Sequence, residues 1–309
     1  VARSLGAALA HDAQMAAAGV TTVYDAIPVG TDTSSDKAYR AHIFAAMIRS
    51  IRLGTEQGCF RADHRIHLRC ELPGPRLLDQ LEPLARDPLV RLVSLMDHTP
   101  GQRQWRNLEQ LKAFATGLYG TSETDFERNV ARQMAESPAI ARANRSRVTE
   151  LFAGRGVPIA THDDTTEDHV AEAVADGASI SEFPTSLVAA RSAKRSGLAT
   201  VAGAPNIVRG GSHSGGVAAR ELVEKSLLDG LSSDYVPASL LQAVSVLRRD
   251  LGTPIEVATS LVTWRVADML RLEDRGRLKP ALRADLVRFR FLGDTPVVRG
   301  VYSAGRPVF

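Results

Sequence analysis

Apolar positions recur along this chain with two periods, and the two periods take turns. Residues 7–18 carry a helical apolar stripe, and VTTVY (residues 20–24) reads as a strand. Residues 37–54 predict a helix, residues 65–72 a strand and residues 77–84 a helix, before the strand that ends in LVSLMDHTPGQRQ (residues 92–104). A helical section over residues 126–155 is expected to break at Ser137-Pro138, because proline lacks the N–H that a helix interior needs. VPIATHDD (157–164) and ASISEFPT (178–185) read as strands, with helices over residues 169–176 and 187–197. ATVAGAP (199–205) and LSSDYVP (231–237) are strand ends with a helix over 216–229 between them, and helices over 238–251 and 254–270 close the run.

Regular alternation of apolar strands with helices argues for a parallel sheet wrapped by helices. So many units in residues 1–270 favour a (β/α)8 TIM-like barrel over a doubly wound sheet. No G-x-G-x-x-G follows a strand, which removes the main support for a dinucleotide fold. Residues 271–309 differ. GRLKPALRADLVRFR and TPVVRGVYSAGRPVF are short β runs bounded by Gly and Pro, as in a small appended β-domain whose remaining strands would lie upstream of Val1.

With 44% hydrophobic and 24% charged residues the composition is that of a globular protein, and no run or leader suits a membrane or a signal peptide. A net charge of +3 comes mostly from arginine, without the basic helix and interleaved aromatics of a nucleic-acid binder. Two cysteines, Cys59 and Cys70, make no disulfide framework and read as buried apolar fillers, so the expected compartment is the cytoplasm.

Candidate chemistry sits at the strand ends. In RIHLRCELP, alternation puts His67, Arg69 and Glu71 on one face, with Glu71 just before Pro73-Gly74. His98 closes the next strand on the face of Ser94 and Met96, His162 closes VPIATHDD, and Asp234 closes LSSDYVP. In a barrel these four ends meet at one rim, where active sites are built. Histidines and carboxylates together suit Zn²⁺, Mn²⁺ or a similar divalent ion. Asp163, Asp164 and Thr165 could position His162, although an Asx turn explains them equally well. Glu182 could reach the rim or serve structure, and His11, His42, His64 and His169 read as surface or packing residues.

The order Glu, His, His, Asp, with AAAGVTTVYDA near the start and GRLKPALRADLV near the end, resembles the amidohydrolase superfamily. HLRCELP, LMDHTPGQRQ, IATHDDTTEDHV, SEFPT and GAPNIVRGGSHSG narrow the resemblance to its diphosphatase branch, which removes pyrophosphate from a ribosyl 5-triphosphate in phosphonate catabolism. The resemblance implies a (β/α)8 barrel lacking its first strand in this chain, with residues 271–309 belonging to a small β-sandwich. It implies that Glu71 bridges two metals, that His98 and His162 ligate one, and that Asp234 ligates the other and handles the proton of the attacking water. The implied cofactor is a divalent pair, Zn²⁺ with Mn²⁺ as the alternative. The superfamily's first-strand histidine motif would precede Val1, so the sequence as it stands supplies part of that site.

A leaving pyrophosphate needs donors, and RGGSHSGG (209–216) fits. Gly210 and Gly211 allow close backbone approach, Ser212 and Ser214 carry hydroxyls, and Arg209 and His213 can supply charge. A helix expected after Gly216 would add free N–H groups. Gln102 and Arg103, beyond His98, are further candidates for the substrate. The expected partner is a small phosphorylated sugar, and the expected assembly a homo-oligomer, taken as a dimer. The rival readings are an amidohydrolase that cleaves a C–N bond, and a truncated barrel that only binds a ligand.

Overall fold

The computed structural model describes residues 2–31, 35–109, 111, 112, 122–212 and 215–309, with backbone alone for residues 2, 3 and 35–42. His213, Ser214 and the side chain of His42 lie outside the described residues.

Seven strands pair in sequence order into one curled parallel sheet: β1 (Thr22–Val29), β2 (Asp63–Glu71), β3 (Val90–Met96), β4 (Ile159–His162), β5 (Ile180–Glu182), β6 (Ala199–Gly203) and β7 (Gly230–Ser232). This is the wall of a TIM-like barrel, and among the described residues β1 and β7 are not paired with each other. The connections are helical: α1 (Ala2–Ala17) precedes β1, α2 (Ser35–Glu56) and α3 (Leu77–Leu81) flank β2, and α4 (Glu123–Phe152) precedes β4. Then come α5 (Glu167–Ala175), α6 (Leu187–Arg195), α7 (Ala204–Arg209), α8 (Ala219–Glu224) and α9 (Ser239–Asp250), followed by α10 (Ile255–Ser260) and α11 (Trp264–Met269). A three-stranded antiparallel sheet ends the chain: β8 (Leu286–Leu292), β9 (Thr295–Ser303) and β10 (Arg306–Pro307). It is tied to the barrel through Asp63, whose Oδ2 accepts from Arg275 at 2.6 Å and from Arg283 at 3.2 Å. No helix among the described residues is long and apolar enough to cross a membrane.

The alternation in β2 decides which side chains face chemistry. Ile66, Leu68 and Cys70 point outwards and are fully buried against the helices, with Val93 and Leu95 of β3 beside them. His67, Arg69 and Glu71 are thereby turned into the barrel. Burial pushes the Cys70 thiol up, as suits an inert core residue, whereas Cys59 is exposed rather than a core filler.

Three helix expectations differ from the structure. α4 runs through Pro138 instead of breaking there. The carbonyl that a Pro138 N–H would have bonded belongs to Met134, on a stretch of the helix whose residues 131–136 are all exposed. Residues 254–270 form two helices because the chain turns at Leu261–Thr263. The segment after Gly216 stays extended until α8 starts at Ala219.

α4 also holds the rim. Asn144, buried at its inner face, donates to Leu72 O at 2.7 Å and to Gly74 O at 3.0 Å, fixing the turn that follows Glu71. The end of β1 packs against the same turn: a Cβ on Gly74 would fall 1.8 Å from Gly30 O. Gly74→Ala is therefore expected to destabilise by about 1–3 kcal/mol or more. Gly6→Ala, at an exposed position of α1 with open space around it, is expected to stabilise by up to about 1 kcal/mol. Urea midpoints of the two variants check both signs.

The opposite end of β2 carries a polar cluster under α1. His64 Nδ1 lies 2.8 Å from Asp25 Oδ2, and Asp12 accepts from the backbone N–H groups of Arg61 and Ala62, each at 2.9 Å. Burial disfavours a charged His64, but its contacts with Asp25 and Asp12 outweigh burial and raise its pKa. Burial also opposes the Asp25 carboxylate, and hydrogen bonds with His11 and His64 outweigh it and lower its pKa. The His64 contribution is thus full below about pH 6.5, the unfolded value, and is lost as pH rises through the folded value. The Asp25 contribution is full above about pH 3.9 and is lost as pH falls through its lowered value. Denaturation midpoints across pH should show an alkaline decline that is smaller in His64→Gln than in the unsubstituted protein.

Candidate functional site

Inside the barrel, below the rim, a buried hydrogen-bonded chain crosses three strands. His67 Nε2 lies 2.5 Å from Ser94 Oγ, and Ser94 Oγ donates to Glu182 Oε2 at 2.6 Å. Ser94 gives its one proton to Glu182, so the imidazole supplies the proton between His67 and Ser94. Burial lowers the His67 pKa to about 4, which keeps it neutral near pH 7.

At the rim, β2, β3 and β4 bring three sequence candidates together. Glu71 accepts twice from His98, from the backbone N–H at 3.0 Å and from Nδ1 at 2.6 Å. His98 Nε2 then faces Asp163 Oδ2 at 3.7 Å, and the same oxygen lies 2.9 Å from His162 Nδ1. The His98 and His162 rings meet edge to face, 5.8 Å between centroids. Burial opposes a charged His98, but the neighbouring Asp163 and Glu71 carboxylates prevail and raise its pKa to about 10. Burial also opposes the Asp163 carboxylate, yet His162 and His98 hold its pKa well below the usual range.

This arrangement fits a divalent cation. One ligand atom each from His98, His162 and Asp163 lies within 4.8 Å of the others. His162 Nδ1 and Asp163 Oδ2 are buried and misaligned with one another, so that neither completes a hydrogen bond. Two buried polar atoms side by side, neither with a hydrogen-bond partner, are costly unless a cation takes them.

Asp163 reaches the cluster through an unusual backbone. Its φ is +58°, the left-handed region, and Phe183 (+53°) and Asp234 (+50°) repeat this just after β5 and β7. Such residues cluster at functional sites when their surroundings hold them there. Here the hold is Asp164, fully buried, whose carboxylate binds Arg103, Thr161 Oγ1 and Ser181 Oγ. Arg103 also donates to His162 O at 3.1 Å and to Glu172 at 3.2 Å.

The remaining candidates are spread around one cavity of about 1030 Å³, whose walls include His98, His162, Asp163, Asp234, Arg209 and Ser212. Asp234 is exposed on this wall and stands outside the three-residue cluster. Arg209 is the last residue of α7, Gly210 caps it at φ +83°, Gly211 has open space around it, and Ser212 Oγ accepts from Gly216 N–H at 3.2 Å. The first N–H of α8 is taken by Asn206 Oδ1 at 3.1 Å, so it does not face the cavity as a free donor. Gln102 is exposed, and Arg103 is buried with its guanidinium turned to the β4 end; Gln104 is the residue of that turn that lines the cavity. The part of Asp163 in the cluster was signalled in sequence only by the Asp-Asp doublet after His162.

The chain is 42% identical over 301 residues to the alpha-D-ribose 1-methylphosphonate 5-triphosphate diphosphatase of Escherichia coli (strain K12), covering 97% of this chain and 79% of that one. Among solved structures it superposes on N-acetylglucosamine-6-phosphate deacetylase from Thermotoga maritima with a TM-score of 0.59, at 13% identity, over 99% of this chain and 84% of that one. An uncharacterized metal-dependent hydrolase from Pyrococcus furiosus gives a TM-score of 0.52 at 17% identity, over 89% of this chain and 57% of that one. At those identities the structural likeness is one of fold alone. No protein-family profile matches the chain. Strand order and rim together define the class, a TIM-like barrel with a cluster at its strand ends that fits a divalent cation. Within that class, the chain belongs to the family of the alpha-D-ribose 1-methylphosphonate 5-triphosphate diphosphatase.

Asp163→Ala and His162→Ala should each lower divalent-metal affinity about tenfold or more. Gln102→Ala should leave it unchanged. Zinc titration against a competing chelator measures all three, and equal affinities across the set would remove the cluster as a metal centre.

Proposed function

We propose that this protein hydrolyses α-D-ribose 1-methylphosphonate 5-triphosphate, releasing pyrophosphate and leaving the 5-phosphate. The observation that carries this reading is the His98–His162–Asp163 cluster beside Glu71, on a cavity wall shared with Asp234 and Arg209. The 42% identity to the Escherichia coli diphosphatase supports the choice of substrate. Bound at this cluster, a divalent ion, Zn²⁺ or Mn²⁺ and one of a pair, lowers the pKa of water and neutralises phosphoryl charge. In this reading Glu71 serves both ions of the pair, His98 and His162 serve one and Asp234 the other, with Asp163 as a further donor.

The chain's own residues divide the remaining tasks. Asp234, exposed at the end of β7, takes the proton of the water that attacks the α-phosphorus. His162 and Asp163 line the same cavity, fixed by Asp164. Arg209, Gly210, Gly211 and Ser212, with His213 and Ser214, hold the leaving pyrophosphate. Gln102 and Arg103 act less directly: Arg103 steadies the His162 carbonyl, and Gln102 stands at the outer edge of the rim.

Asp234→Asn is expected to lower kcat by about 10²–10⁴. Arg209→Ala and His213→Ala should slow turnover by roughly two to three orders of magnitude, more than they weaken binding. The deciding assay incubates metal-loaded protein with the ribosyl triphosphate and separates pyrophosphate from orthophosphate. Orthophosphate as the product, or release of an amine from an acylated amino sugar instead, overturns the proposal.

A further inference from the structure

Arg69 is an interior charge that the reaction as proposed leaves without a task. It follows His67 on the inward face of β2, two residues before Glu71, and it lines the cavity. Its Nη2 lies 3.1 Å from His162 Nε2, and its Nε donates to Met96 Sδ at 3.3 Å. Among the described residues its guanidinium makes no ion pair. A half-buried arginine normally finds a carboxylate, because a charge taken from water needs an opposite charge or several strong acceptors. Here an imidazole nitrogen and a thioether are all it has, both weak partners for a fork of five N–H groups.

The carboxylates nearby on the interior wall are engaged elsewhere. Glu71 is used by His98, and Glu182 by Ser94. The hold of His162 on Arg69 is also conditional. Guanidinium only donates, so His162 Nε2 must present its lone pair to it. If the ring gives Nδ1 to a cation, Nε2 carries the proton; if it gives Nε2, the lone pair is gone. Arg69 loses its acceptor either way, and its donors turn to the cavity.

We infer that Arg69 is an inner anion-binding group, whose guanidinium holds the non-bridging oxygens of a phosphoryl group brought up to His98, His162 and Asp163. The planar fork matches a tetrahedral oxyanion with two parallel hydrogen bonds. This subsite deepens the proposed function and rests on it for the identity of the anion, a phosphoryl group of the substrate. It lies on the barrel interior, so it grips the phosphoryl group at the cluster, while the Arg209 loop grips the leaving phosphates from the rim.

The probe is inorganic phosphate, titrated calorimetrically into the zinc-loaded full chain. Arg69→Gln should weaken phosphate binding about tenfold or more, with Arg69→Lys between it and the unsubstituted protein. Zinc affinity of Arg69→Gln should be equal to or higher than that of the unsubstituted protein, since His162 loses a competitor. Phosphate affinity within twofold in Arg69→Gln, or loss of zinc together with phosphate, overturns the subsite; the second result would make Arg69 a support for His162. A measurement without substitution guards against misfolding: phosphate should slow phenylglyoxal labelling of the Arg69 peptide, read by mass spectrometry, and unchanged labelling counts against the subsite. Pyrophosphate release and phosphate binding fail separately. A chain that binds phosphate through Arg69 yet releases no pyrophosphate keeps the subsite and loses the substrate, and the reverse result does the opposite.

Discussion

Asp164 has no exposure to solvent, and the end of the barrel wall is organised around its charge. One carboxylate oxygen takes the Arg103 guanidinium, the other takes Thr161 Oγ1 and Ser181 Oγ, and its backbone carbonyl accepts from Thr185 N–H at 2.8 Å. A buried charge pair with both carboxylate oxygens hydrogen-bonded is stable in place, whereas loss of one partner leaves an uncompensated ion and costs about 3–5 kcal/mol. That is ample to hold the neighbouring Asp163 at positive φ, a conformation worth about 1–3 kcal/mol of strain. The placement of His162 and Asp163 thus depends on an ion pair that lies outside their cluster.

Much of the frame was legible because periodicity reports burial directly. The period-2 pattern of RIHLRCELP separates an outward apolar face from His67, Arg69 and Glu71, and the structure keeps that division. Strand ends at Glu71 and His162 follow from the same pattern, with the turn residues behind them, whereas His98 lies two residues past the end of β3 at Met96. What periodicity does not encode is backbone conformation after a strand. Asp163 joins the cluster only because the chain turns left-handed there, and nothing in an Asp-Asp doublet separates that from an ordinary turn. Arg103 shows the complementary limit. An arginine just past a Pro-Gly turn reads as a surface residue, yet contact with α5 and the β4 end buries it.

Helix limits were less legible where the environment outweighed propensity. Pro138 ought to stop a helix, but its cost falls on an exposed stretch, and α4 gains buried contacts on both sides of it through Phe126, Ala141 and Val148. Residues 216–229 have helical composition, yet the extended stretch before Ala219 is pinned by Val217 N–H donating to Thr185 O at 2.9 Å. Both cases turn on partners distant in sequence. The His67–Ser94–Glu182 chain is of the same kind: three strands contribute one residue each, and no local window contains the set.

The close approach of Gly30 to Gly74 has an evolutionary consequence. On that quadrant of the rim two backbones touch, and Asn144 locks one of them from outside. Sequence drift there can add no side chain to the mouth of the barrel. Across the cavity the situation is reversed, since Gly211 has empty space around it and Arg209 and Tyr235 stand exposed. Diversification of this scaffold towards new substrates has one side of the mouth available to it: side chains can be added around Gly211, while the first two strand ends hold the geometry that any such substrate must meet.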